Sequence, residues 1–162
     1  MQVCFIGHRN TKTSKELISL LKKTVETLIN KGATTFLFGS MSKFNDLSWD
    51  VVTQLKAQYP FLRRVYVRSA YQHIDKSYED YLLKSYEETY FPPKITKAGK
   101  SSYVERNYEM IDRSTYCIFY YDKNYIPQRK NNALLLSSPN SGTKIAYEYA
   151  IKKRKQIINL YE

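Results

Sequence analysis

The sequence predicts an α/β fold, a three-layer α/β/α sandwich around a mainly parallel sheet of five strands. Three observations carry this. Short apolar runs alternate with amphipathic helical stretches along the whole chain. Two of the early runs stop at a glycine, Gly7 and Gly39, and the last helical stretch opens on Ser141-Gly142-Thr143. The 162 residues suffice for one domain with a core, and they contain no linker or internal repeat.

Val3-Cys4-Phe5-Ile6 reads as the first strand, followed by the polar turn Gly7-His8-Arg9-Asn10. Ser14 is placed to cap the next helix, whose apolar stripe is Leu17, Ile18, Leu21, Val25, Leu28 and Ile29. Gly32 stands where a helix ends. Thr35-Phe36-Leu37-Phe38 is the second strand. The turn Gly39-Ser40-Met41-Ser42 leads through Phe44, Asn45 and Asp46 into a helix burying Leu47, Val51, Val52 and Leu55. Pro60 marks its end, and Arg64-Val65-Tyr66-Val67 is the third strand.

Lys76 to Tyr90 reads as one Tyr-rich helix, with Tyr78, Leu82, Tyr86 and Tyr90 at helical spacing, broken by Phe91-Pro92-Pro93. Thr96 to Ser102 reads as a flexible loop and Val104 to Ile111 as a helix. Tyr116 to Tyr121 is the fourth strand, with Asp122 at its end. Lys123 to Asn140 is polar and irregular apart from Leu134-Leu135-Leu136, a long excursion expected near the ligand face. Ile145, Ala146, Tyr149 and Ala150 give the last helix its apolar face, and Ile157-Ile158-Asn159-Leu160 is the fifth strand.

Lys and Arg number 26 against 15 Asp and Glu, a formal net charge of +11. Such a chain attracts anions, whether nucleotide, nucleic acid or acidic protein. The 16 tyrosines could stack on bases or fill half-buried surfaces. No apolar run approaches the ~20 residues of a membrane-spanning helix. The opening MQVCFIGHR is too short and too soon polar for a signal peptide, so a cytoplasmic protein with no membrane partner is expected. Cys4 and Cys117 sit inside apolar runs and read as buried free thiols. No metal site and no cofactor is expected.

Right-handed crossovers put the first strand centrally, and a ligand outside the carboxyl ends of the strands. The loops arriving there are Gly7–Asn10, Gly39–Asp46, the segment from Asp122, and Asn140–Thr143. At a helix start, free N–H groups and the dipole favour an anion. Ser and Thr there also serve as ordinary caps.

The ordered motifs are Gly7-His8-Arg9 after the first strand, Phe38-Gly39-Ser40 running to Phe44 and Asp46, Arg106-Asn107 with Met110, and Ser141-Gly142-Thr143. Together they resemble the SLOG superfamily over nearly the whole chain. That superfamily includes the DNA-processing protein DprA and the Lonely Guy phosphoribohydrolases, and the nearest resemblance is to small single-domain bacterial and phage members. The resemblance implies a Rossmann-like fold whose glycine loops bind a nucleotide or nucleotide-derived ligand, and a homodimer. Some relatives hydrolyse nucleoside monophosphates at the N-glycosidic bond, others sense NAD-derived signals, and others bind single-stranded DNA. Gly39, Ser40, Gly142 and Thr143 match the phosphate-handling loops, and Arg106 matches the arginine before the fourth strand. The chain departs from the phosphoribohydrolase pattern at Ala146, which stands where those enzymes carry a catalytic Glu. Glu148 lies two residues on, roughly across the helix. Asp46 and Asp122 are the remaining acids near the expected mouth.

The expected ligand site is therefore Gly7, Arg9, Gly39, Ser40, Asp46, Arg106, Asn107, Ser141, Gly142 and Thr143. Asp46 and Arg106 are the catalytic candidates if the protein is an N-glycosidase. Asp46 also reads as a helix cap or a ribose-hydroxyl acceptor, Arg9 as a phosphate contact or a surface cation, and Arg106 as a ligand contact or a surface salt bridge with Glu105 or Glu109. His8 reads as structural, and His73 receives no role. Lys152-Lys153-Arg154-Lys155 complements a helix end, or serves a nucleic-acid-binding alternative.

Overall fold

Strands buried on both faces must be apolar throughout, and β1 (Gln2–Gly7) is: Val3, Cys4, Phe5 and Ile6 are all buried. The computed structural model describes residues 1–39, 41–96, 99–127 and 140–161. In it β1 joins β2 (Thr35–Phe38), β3 (Arg63–Val67), β4 (Glu88–Tyr90), β5 (Tyr116–Tyr120) and β6 (Gln156–Asn159). Their order is β4-β3-β2-β1-β5-β6, and every pairing is parallel. The chain steps outward from β1 to β4, then returns to lay β5 on the other side of β1. That reversal makes a crevice at the carboxyl ends of β1 and β5.

Alternating side chains divide the core between two faces. Val3, Phe5, Phe36 and Phe38 pack under α1 (Lys15–Asn30) and α2 (Lys43–Leu55). Cys4, Ile6 and Leu37 pack under α4 (Lys100–Arg113) and α5 (Gly142–Lys152). Ser14 caps α1 by accepting from the Leu17 N–H at 3.1 Å. Gly32, at φ 100°, closes that helix: its own N–H reaches Ile29 O, and the Ala33 N–H reaches Leu28 O. Cys4 and Cys117 are register partners across β1 and β5, both buried free thiols. Among the described residues, no helix is long and apolar enough to cross a membrane.

The sheet has six strands where five were expected, because the Tyr-rich stretch is not one helix. α3 (Lys76–Leu82) is short. Beyond it Tyr86 turns inward, stacking on Tyr66 at 5.2 Å and lying against Phe38 and Trp49. Trp49 Nε1 donates to Ser85 O at 3.1 Å. Arg64 grips Glu87 through its side chain and its backbone N–H. Burial would raise the Glu87 carboxyl, but these bonds and the charges of Arg64 and Lys56 outweigh it and hold it at about 2. So anchored, the next three residues pair with β3 as the edge strand β4. α4 also begins earlier than expected, at Lys100 within the stretch read as a loop.

Candidate functional site

The strands end in a row of polar residues, and two clusters form there. The first lies at the tip of β2. Gly39 leaves the strand directly under Arg106, which reaches across from α4. A Cβ added at Gly39 would lie 2.7 Å from Arg106 Cδ and 2.9 Å from Met110 Sδ, so only glycine lets the arginine lie there. The Arg106 guanidinium donates to Gly39 O, to Ser69 Oγ at 3.4 Å, and to Asn107 Oδ1 at 3.3 and 3.4 Å. It lies 5.5 Å from the centre of the Tyr103 ring. Arg106 is 4% exposed and makes no ion pair with any described residue. Burial lowers its pKa to about 10. The surface salt bridge considered for it is not formed among these residues. Asn107, 8% exposed, orients the guanidinium.

Asp46 stands exposed in the first turn of α2. It is not the cap of that helix. Ser42 is, accepting from the Asn45 N–H at 3.1 Å, while Asn45 Oδ1 accepts from the Gly39 N–H at 3.2 Å. Ser40, expected in the phosphate loop, lies outside the described residues.

The second cluster occupies the crevice between β1 and β5. His8 is 2% exposed. Its Nε2 accepts from the Asp122 N–H at 2.9 Å, and its ring stacks on Tyr125 at 3.9 Å. The neutral ring therefore carries its proton on Nδ1, which is buried with no partner among the described residues. Arg9 is exposed, with no side-chain hydrogen bond or ion pair among the described residues; its carbonyl accepts from the Lys43 N–H at 3.1 Å, tying this loop to the start of α2. Ser141 caps α5 by accepting from the Lys144 N–H at 3.1 Å. Gly142 is exposed and Thr143 buried in that first turn. The helix start borders a cavity of about 210 Å³ lined by Tyr121, Asp122, Asn124, Tyr125, Ser141 and Lys144. Of the long excursion expected near this face, residues 128–139 lie outside the described residues.

Gly7 joins neither cluster directly. A Cβ there would sit 2.5 Å from the Phe44 ring, so this glycine lets α2 pack on the end of β1. The residues that sequence reasoning missed at Arg106 are Ser69, which accepts from its guanidinium, and Tyr103, whose ring it faces; Arg68 directly precedes Ser69. A signal existed. Arg68-Ser69 follows β3 as His8-Arg9 follows β1, and the rule that ligands meet the carboxyl ends of strands applies to both. Among the described residues, no three His, Cys, Asp or Glu stand together as metal ligands.

Among solved structures, the fold resembles DNA processing protein A from Helicobacter pylori, described for its single-stranded DNA binding mode. The TM-score is 0.58 at 15% identity, over 97% of this chain and 63% of that one. The chain thus spans less than two thirds of that relative, and the likeness is one of fold. No curated protein matches the sequence. The model of the YspA SLOG family matches residues 4–157.

Proposed function

The chain belongs to the YspA SLOG family, and from that premise we propose that it binds a nucleotide or nucleotide-derived small molecule at the carboxyl edge of the sheet. One observation carries the reading. Arg106 holds a buried charge with no counter-ion among the described residues. A buried cation costs several kcal/mol unless paired, and carbonyl or amide oxygens offset that only in part. A phosphate supplies the missing charge and matches the guanidinium fork. Arg9 and the α5 start at Ser141–Thr143 are the further phosphate contacts in this reading, with Asp46 accepting from a ribose hydroxyl.

The test is a thermal-shift and calorimetric series with nucleotides, NAD and ADP-ribose. A ligand that binds only the folded chain stabilises it by about 2.7 kcal/mol at one hundred times its Kd. Arg106→Ala is expected to weaken binding at least tenfold, since hydrogen bonds to charged groups contribute about 1.5–3 kcal/mol. Thr143→Val should weaken it less. Unchanged affinity in both variants sinks the site assignment. Product analysis of each hit decides between binding and N-glycosidic hydrolysis. Free base released by the wild type and lost in Asp46→Asn would make the protein an enzyme.

A second reading, binding of nucleic acid, is favoured by the net charge of +11 and by a cationic depression at the opposite edge of the sheet. Arg113, Lys153, Arg154 and Lys155 line it.

A further inference from the structure

The end of β3, next to β2 in the sheet, carries a second buried cation. Arg68 follows β3 and is 9% exposed. Its backbone N–H still pairs with Tyr90 O at 2.9 Å, and its Nη1 donates to Tyr71 O at 2.7 Å. Among the described residues its buried Nε has no hydrogen-bond partner and Arg68 makes no ion pair. The next residue, Ser69, is the one Arg106 reaches. Both guanidiniums act electrostatically on the hydroxyl of Tyr66, two residues earlier on the strand. Ser69 joins the two: it follows Arg68 directly in the chain and accepts from Arg106 at 3.4 Å. The loop that holds Arg68 is itself constrained: Tyr71, which receives its hydrogen bond, has φ 58°, a left-handed conformation uncommon outside glycine.

Two buried guanidiniums flank Ser69, each without a counter-ion among the described residues, and a single negative charge leaves one of them uncompensated. Resting on the nucleotide-binding reading above, we propose that Arg68 and Arg106 together select a doubly charged group, a terminal phosphomonoester or a diphosphate, over a singly charged phosphodiester. A phosphomonoester carries about −1.5 to −2 charge near neutral pH, and a cyclic or bridging phosphodiester carries one. Arg106 alone would hold either. Arg68, with an Nε–H that no described residue accepts, makes the site count charge.

The experiment compares nucleoside monophosphates of each common base with their cyclic counterparts, and with inorganic pyrophosphate, by calorimetry. The wild type is expected to favour the linear over the cyclic nucleotide by about tenfold or more, the return on one charge-assisted contact. Arg68→Gln should remove most of that preference while the cyclic nucleotide binds as before. Arg68→Lys, which keeps the charge, should retain the preference. Equal wild-type affinity for linear and cyclic nucleotides, or a preference that survives Arg68→Gln, overturns the role of Arg68 and leaves nucleotide binding standing. Loss in Arg68→Lys as complete as in Arg68→Gln also overturns it, because the arginine then acts through the Tyr71 turn. Pyrophosphate bound without any nucleotide, and lost in Arg68→Gln, supports the arginine pair and removes the nucleotide reading. No binding of any probe removes both.

Discussion

His8 works uncharged, and its surroundings require it to. The Nε2 lone pair accepts the Asp122 N–H, and an imidazolium has no lone pair to offer. Burial lowers its pKa below the ordinary 6.5, and the charge of Asp122 opposes this only in part. The sign follows directly. As pH falls through the unfolded value the unfolded chain takes up a proton that the folded chain refuses, so stability present above that value is lost toward the folded pKa. The urea midpoint is expected to fall between about pH 7.5 and about pH 5.5, and Arg64-paired Glu87 adds no slope there, because its ordinary value of 4.5 and its folded value of about 2 both lie below that window. His8→Gln, whose amide oxygen can replace Nε2 as acceptor, should flatten that dependence. An identical slope in both proteins would deny His8 its part. A lone histidine after a strand reads as structural in the sequence, and the ring is buried with its Nε2 on the Asp122 N–H. Its partner, a backbone N–H 114 residues away, was not legible, because only the pairing of β1 with β5 brings the two together.

At the scale of elements, legibility followed burial. β1 and β2 are apolar at nearly every position, and α1 announces itself with Ser14, a regular stripe and Gly32. The stretch after α3 misled for a physical reason. Tyr86 and Tyr90 keep helical spacing from Tyr78 and Leu82, yet Tyr86 packs onto Tyr66 and Trp49 while Tyr90 sits in β4. A three-residue edge strand is too short to show alternation of its own. Glycine at a strand end was equally ambiguous. Gly39 accommodates Arg106, whereas Gly7 accommodates Phe44, and the sequence marks the two alike. Gly7→Ala should therefore act on the contact between β1 and α2. Its Cβ overlaps the Phe44 ring, and overpacking of this kind costs about 1–3 kcal/mol. A chain of this size loses about 2–4 °C of Tm per kcal/mol. Melting curves should show that loss, while ligand affinity measured well below the transition stays near wild type. A stable Gly7→Ala protein that no longer binds would instead place Gly7 in the ligand's path.

Taken whole, the molecule separates two kinds of positive charge. At the carboxyl edge of the sheet Arg68 and Arg106 are buried, each 9% exposed or less, and enclosed by tyrosines and backbone. At the opposite edge the basic run after α5 is partly spent inside the protein. Lys155 donates to Asp112 O and Ser114 O, closing the end of α4, and Lys153 lies over Tyr149 within 3.8 Å of Asp112. Among the described residues of that edge this leaves Lys152 and Arg154, both exposed, with Arg113, too few cations for a long track along a nucleic-acid backbone. Salt separates the alternatives. A strand held through 6–10 phosphates loses roughly 10³–10⁵ in affinity between about 50 and 200 mM salt, because each contact releases counterions. A small ligand held by two buried guanidiniums should lose less than about tenfold over the same range, since buried pairs are screened far less. Nucleotide affinity with that shallow dependence, set beside weak and steeply salt-dependent binding of single-stranded DNA, would locate function at the Arg106 edge. Tight DNA binding with a steep slope that falls when Lys152 and Arg154 are replaced by Gln would move it to the other.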